Sequence, residues 1–164
     1  MKYGNRIAYY PRDAYEPNFP DVSFQYFFEL VLDYGEHDKE VPTPSEKQVW
    51  SVRPDAFSSY RTGFEIRTIR MCQRVLMFHN FDELGAEPQL VRSLDLTYKQ
   101  SSINDSGYAE VSYLNAVTQK GYIRKGDGTY SSKSLPSMEF EYQELRWNTE
   151  VKTVDSESLE NTPI

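Results

Sequence analysis

From Phe24 to Tyr34 the chain alternates. Phe24, Tyr26, Phe28, Leu30, Leu32 and Tyr34 share one parity, and Gln25, Phe27, Glu29, Val31 and Asp33 the other. A period of two with one aromatic face predicts a half-buried strand, which Gly35 ends. Leu90 to Tyr98 repeats the pattern, with Leu90, Arg92, Leu94, Leu96 and Tyr98 opposite Val91, Ser93, Asp95 and Thr97. Between these runs, residues 63–81 change phase. Phe64, Ile66 and Thr68 start on one parity, then Ile69 and Met71 take the other. That shift predicts a bulge or bend near Thr68 to Arg70. Unbroken, the run would span roughly 60 Å, against the usual three to ten residues or so of a strand. It is either two strands around a bend or one staple of a very large sheet.

The remaining chain is punctuated by turn formers. Residues 1–23, with three prolines and Gly4-Asn5, predict an extended, looping entry. Residues 36–62 hold Pro42, Pro44 and Pro54 and form a long connection, which Trp50 is expected to pin to the body. Covering a sheet edge is one job for such a loop. Ser101 to Gly107 is a polar loop. Tyr108 to Gly121 is ambiguous: Val111, Leu114 and Val117 fit a helical stripe, yet 113–118 also makes a good strand. The expectation is a helical turn near Ala109 to Ser112, then a strand to Tyr122. Lys125-Gly126-Asp127-Gly128 is a turn. Residues 135–142 enter a returning strand with Pro136 near its start, where proline is tolerated. No fixed-period repeat or low-complexity tract is present. The fold class is all-β: an antiparallel meander of long strands with long loops.

Composition narrows the function. Thirteen Tyr, nine Phe and two Trp make 15% of the chain aromatic, which argues against wholesale disorder. A mean hydropathy of -0.69 and the lack of any run near ~20 apolar residues exclude a helical membrane span. The net charge of -7 lacks the basic footprint of nucleic-acid binding. It also disfavours anionic membrane surfaces. The lone Cys72 cannot form an internal disulfide. No basic start precedes an apolar run, so no signal peptide is visible in this segment. Neither end has the look of a natural terminus, and an excised piece of a longer protein is expected. From Asn148 the chain is polar, with Glu150, Asp155, Glu157 and Glu160 against Lys152. The division is therefore a β segment over 1–147 and an acidic linker or tail over 148–164.

Several strings occur together in order. They are Tyr3-Gly4-Asn5-Arg6, then Leu32-Asp33-Tyr34-Gly35-Glu36-His37-Asp38, then the run from Arg53 to Arg61 leading into Gly63-Phe64-Glu65-Ile66-Arg67-Thr68. Cys72, Arg74 and Val75-Leu76-Met77-Phe78-His79 follow, and Leu135-Pro136-Ser137-Met138-Glu139-Phe140 closes. From Tyr3 to Tyr142 this order resembles the SpvB-type region of bacterial insecticidal toxin-complex B components, the Salmonella virulence plasmid B protein family. The resemblance implies a structural role: the region precedes a β-propeller. With the C component and its Rhs-type repeats, the B component builds a β-sheet shell around a toxic polypeptide. It further implies that the family's enzymes, an ADP-ribosyltransferase among them, occupy separate C-terminal segments.

Candidate chemistry is weighed beside that reading. Glu139-Phe140-Glu141 resembles the Glu-x-Glu pair of ADP-ribosyltransferases, and on a strand both carboxylates would share a face. Ser131-Ser132 lies too close upstream for the separate strand such a site needs, so an ordinary outward strand face is preferred. Asp33, Glu36, His37 and Asp38, with His79, offer metal ligands, but the spacing matches no metal pattern. A strand end with a polar turn fits better. Asp127 alone is no calcium cage. Cys72 and His79 lack an oxyanion motif and an orienting acid, so Cys72 reads as a buried small hydrophobe. Arg61, Arg67, Arg70 and Arg74 invite an anion site, yet cross-strand pairs with Glu29, Asp33, Glu65 or Asp95 fit a sheet better. The aromatic faces suggest sugar stacking, but core and inter-sheet packing is the commoner use.

The expectation is a non-enzymatic structural segment with no catalytic, cofactor-binding or metal residue and no cofactor. Its partners are the rest of its parent chain (β-propeller, Rhs-type repeats) and a toxin C component, in a secreted or extracellular assembly. A carbohydrate-binding β-sandwich is the alternative.

Overall fold

The computed structural model describes residues 1–6, 26–101, 111–143 and 153. Its strands are β1 (Lys2–Asn5), β2 (Tyr26–Asp33), β3 (Phe57–Ser59), β4 (Ile66–Thr68), β5 (Arg74–His79), β6 (Gln89–Ser101), β7 (Val111–Arg124), β8 (Tyr130–Ser134) and β9 (Met138–Glu139). A single 3-10 turn at Asp82–Leu84 is the helical element among the described residues. The main sheet runs β1-β2-β5-β6-β7-β8, and β9 pairs with β7 beside β8. Every pairing is antiparallel. Sequence neighbours are sheet neighbours, as a meander requires, except that the β3–β4 hairpin forms a small separate sheet between β2 and β5 and that β9 pairs with β7 rather than β8.

Residues 63–81 resolve as two strands. β4 ends at Thr68 and β5 begins at Arg74 in a different sheet. The Lys125 turn closes as expected, with Lys125 N–H donating to Thr129 O at 2.8 Å and Gly128 at φ +85°. Asp127 accepts from Thr129 N–H and Oγ1 at 2.9 and 2.6 Å, which holds its carboxyl below the usual range.

Among the described residues the core is small: Leu76, Phe78 and Leu90, with Val31, Tyr122 and Tyr130 packed against them. Here the parity expectations need correction. In β2 the deepest burial is on the Val31 and Asp33 side, since Val31 pairs with Leu76 and Asp33 with Arg74. Leu32, expected on the covered face, is 47% exposed. The aromatic parity serves a second cluster instead, where Phe28 meets Tyr3, His79 and Phe81 at ring distances of 5.0–5.6 Å. In β6 the even positions do not share one face. The β5–β6 register steps from Phe78↔Leu90 to Met77↔Arg92, so Val91 is an extra residue. A bulge of this kind turns the face over. Leu90 is buried before it, and Ser93 after it, while Leu94 faces out. Leu90 N–H donates to Tyr130 Oη at 3.1 Å.

Two further expectations change. Val111 and Ser112 lie in β7, not in a helical turn, because β7 pairs with β6 through Ser101↔Val111. Ala109, the Ser102–Gly107 part of the polar loop, residues 7–25 and the acidic tail from Asn148 lie outside the described residues, Thr153 excepted. The returning strand starts earlier, at Tyr130, and Leu135-Pro136-Ser137 separates it from the two-residue β9. Glu141 therefore lies beyond the strand, and Glu139 and Glu141 share no strand face.

Candidate functional site

The most structured polar feature sits at one end of the main sheet. Direct register places Asp33 of β2 beside Arg74 of β5, and Arg74 beside Asp95 of β6. Lys120 of β7 reaches the same row, with Nζ 2.6 Å from Asp95 Oδ2. The signs alternate across four strands, the arrangement that cross-strand neighbours favour. Ser93 Oγ donates to Asp95 Oδ1 at 2.5 Å and meets Tyr122 Oη at 3.0 Å. The Asp95 carboxylate raises the Lys120 pKa.

Asp33 is 1% exposed, and its lone pairs are committed. Oδ2 takes Arg74 Nε at 2.6 Å, and Oδ1 takes the Gly35 and His37 amides at 2.8 and 3.3 Å. Arg74 then extends its other nitrogens to the loop, Nη2 to Asp38 O (2.9 Å) and His37 O (3.3 Å), and Nη1 to Lys39 O (3.5 Å). A planar fork of five donors suits this geometry; an ammonium does not. Glu36 accepts from Tyr34 N–H at 2.7 Å. Asp38 accepts from the Val41 and Glu40 amides, which hold its carboxyl below the usual range. His37 Nδ1 lies 2.9 Å from Thr43 O; a carbonyl only accepts, so Nδ1 carries the proton. Gly35 turns the chain at φ +105°, where other residues are strained. A cavity of about 310 Å³ opens between this loop and the sheet, lined by Asp33, His37, Arg74, Asp95 and Lys120 among others.

This arrangement is a clamp rather than a reaction centre. Its carboxylates are spent on backbone amides, Arg74, Lys120 and Ser93. Asp33, Glu36, His37 and Asp38 do gather at the strand end and polar turn, but His79 stands at the opposite end of β5 in the aromatic cluster. Among the described residues no group of three or more His, Cys, Asp or Glu side chains is placed to hold a metal. Cys72 and His79 are separated by the length of β5, roughly 20 Å. Cys72 is partly rather than fully buried, and its Sγ lies 3.4 Å from Arg74 O. Burial raises its thiol pKa.

The arginines divide. Arg74 makes the expected cross-strand pair with Asp33. Arg67 meets Glu65 at 3.6 Å within its own segment, not across strands. Arg70 stacks 4.4 Å over Trp50 and 5.6 Å over Tyr34, so Trp50 does tie its loop to the body. Glu29 pairs with Lys2 at 3.7 Å, and Asp95 with Lys120. The sequence reading missed Lys120 and a second bridge. In that bridge Arg53 forks onto Asp55 at 2.7 and 2.9 Å, and Asp55 accepts from Ser112 N–H and Oγ at 2.9 and 3.0 Å. The Arg53-Pro54-Asp55 string is the one signal for it in the sequence.

This chain is similar to known proteins over much of its length. The model of the family described as Salmonella virulence plasmid 65kDa B protein matches residues 1–81. The chain carries an SpvB-type region. Mono(ADP-ribosyl)transferase SpvB of Salmonella typhimurium is 44% identical over 107 residues, which cover 63% of this chain and 18% of that protein. The Salmonella dublin protein of the same name gives the same figures. The chain thus spans about a fifth of the length of these curated relatives. Among solved structures, the TcdB2-TccC3 crystal structure without its hypervariable C-terminal region overlays 88% of this chain and 7% of that chain, with TM-score 0.64 and 34% identity. The N-terminal domain of effector protein SpvB from Salmonella typhimurium strain LT2 overlays 69% of this chain and 36% of that chain, with TM-score 0.50 and 36% identity. The SpvB-type region of this chain corresponds to that N-terminal domain, which is not the catalytic one. It is a structural segment of toxin-complex type.

Proposed function

We propose that this chain is a panel of a toxin-complex B-type protein, contributing strands to a β-sheet shell that encloses or delivers a toxic effector. The overlay of 88% of the chain on 7% of a TcdB2-TccC3 chain carries the reading. A small panel set in a very large chain has structural neighbours rather than a substrate of its own. Among the described residues three hydrophobics are fully buried, which fits a sheet that gains further burial from those neighbours. The partners are the rest of the parent chain, with its β-propeller and Rhs-type repeats, and a toxin C component. The assembly is secreted or extracellular, and the insecticidal setting follows from the same reading. Residues 1–147 form the SpvB-like segment, and 148–164 link it onward. The carbohydrate-binding sandwich draws no support from these matches.

Electron cryo-microscopy of the full-length protein with its C component is the test. The expected image is a closed β-rich shell with this chain continuous with its wall. A chain hanging free of any shell, or the absence of a shell, would overturn the proposal.

A further inference from the structure

The β3–β4 hairpin stands apart from the main sheet and carries several exposed large hydrophobics. Phe57, Tyr60, Phe64 and Ile66 are 53, 66, 64 and 45% exposed. Two-stranded hairpins are marginal by themselves, yet this one is firmly based. Arg53 N–H donates to Ile69 O at 3.0 Å, and the Arg53–Asp55 fork ties the base to Ser112 on β7. The stack of Arg70 on Trp50 braces the other side. At the tip, Gly63 N–H closes the turn onto Tyr60 O at 3.0 Å.

The charge of the hairpin runs against the chain. Residues 57–68 hold Arg61 and Arg67 against Glu65, a local +1 in a protein of net -7. Glu65 is itself engaged by Ser58 Oγ at 2.6 Å and by Arg67. Exposed apolar patches of this kind mark interaction sites, and aromatic residues with arginine are the usual anchors of interfaces. A braced base lowers the ordering cost of docking.

We infer that the β3–β4 hairpin is a docking tip for an acidic, apolar-lined surface on another domain of the same toxin polypeptide. That the partner lies in the same polypeptide rests on the function proposed above. Most of the length of its relatives lies outside this chain, which spans 18% of the curated ones. Positive charge at the tip selects an acidic partner. A membrane is disfavoured, because a body of such negative charge is repelled by anionic lipid.

The test places the photo-crosslinker p-benzoylphenylalanine at exposed Tyr60 in the full-length protein, followed by irradiation and peptide mapping. The expected product joins Tyr60 to an Asp/Glu-rich region of the same polypeptide. Its yield falls at least about fivefold in the Arg61→Glu/Arg67→Glu background and in 1 M salt, where the screening length drops to about 3 Å. Three results overturn the inference: no cross-link, a cross-link to a neutral or basic region, or lipid adducts with phosphatidylcholine–phosphatidylglycerol vesicles. A shell seen by imaging with Tyr60 unlinked removes the hairpin inference alone. An acidic cross-link without a shell removes the shell reading alone.

Discussion

Arg74 Nε lies 2.6 Å from Asp33 Oδ2 at the last rung of the β2–β5 ladder, and the same guanidinium hydrogen-bonds the backbone carbonyls of His37 and Asp38. One side chain therefore joins two strands to the loop that follows β2. Removing one member of a buried pair typically costs about 3–5 kcal/mol, because the other charge is left without compensation. Arg74→Ala is expected to lose about that much in urea melts. Arg74→Lys should fall between it and the parent protein, since an ammonium lacks the fork. Hydrogen exchange should report faster opening of the Gly35 and His37 amides in both. A loop protected as before would show that the clamp is not what orders it.

Leu90 in β6 gives a second test. Tyr130 Oη takes the Leu90 amide at 3.1 Å. Without the hydroxyl, a buried N–H loses its partner, a cost of about 1–3 kcal/mol. Tyr130→Phe should therefore destabilise by that amount, although the ring and its packing on Tyr122 remain. A stability unchanged within error would mean that water replaces the hydroxyl.

Gly35→Ala tests the turn after β2. At φ +105° a side chain is strained, and an added Cβ would lie 3.0 Å from Gln73 Nε2. The left-handed region costs about 1–2 kcal/mol for a residue with a Cβ. A fall in Tm of about 2–8 °C is expected for a domain of this size. An unchanged Tm would show that the turn relaxes freely.

These positions also show what was legible in the sequence. Strand existence came through, because period-two alternation in β2 and β6 and the phase change in residues 63–81 are local signals. Facing did not. Val91 is one extra residue in β6, and no composition marks it as the bulge. Asp33 is a carboxylate on the core face, so parity counting that assigns apolar residues inward picks the wrong side of β2. The Asp33–Arg74 pair was one of several partners open to four arginines, and only the register selects it. Lys120 and Ser112 reach their partners across distant strands, so no spacing announces them. The short β9 lies beyond Pro136, where β7 alone supplies its pairing.

Cys72 is the only thiol. Burial raises its pKa, its Sγ–H donates to Arg74 O at 3.4 Å, and the negative charges of Asp33 and Glu36 add to the rise. The thiolate is the reactive form. Iodoacetamide at pH 8 is expected to label native Cys72 at least about tenfold more slowly than the urea-unfolded chain. Equal rates would mean that the end of β5 opens readily.

Asp55 sets a pH dependence with a definite sign. The Arg53 fork, followed by the Ser112 hydrogen bonds, holds its carboxyl far below the ordinary value near 3.9. A carboxyl whose pKa is depressed by folding stabilises the folded state fully above its unfolded pKa. The contribution fades as pH falls towards the folded value. Asp55 therefore supports the hairpin base at neutral pH and progressively loses that role below about pH 4. Asp55→Asn should lower the urea midpoint at pH 7 and flatten its decline between pH 4 and pH 2. Ser112→Ala should remove about 1 kcal/mol through the lost hydroxyl bond while keeping most of the acid slope, because the Arg53 fork remains. An acid decline equally steep in Asp55→Asn would assign the pH sensitivity to other carboxylates.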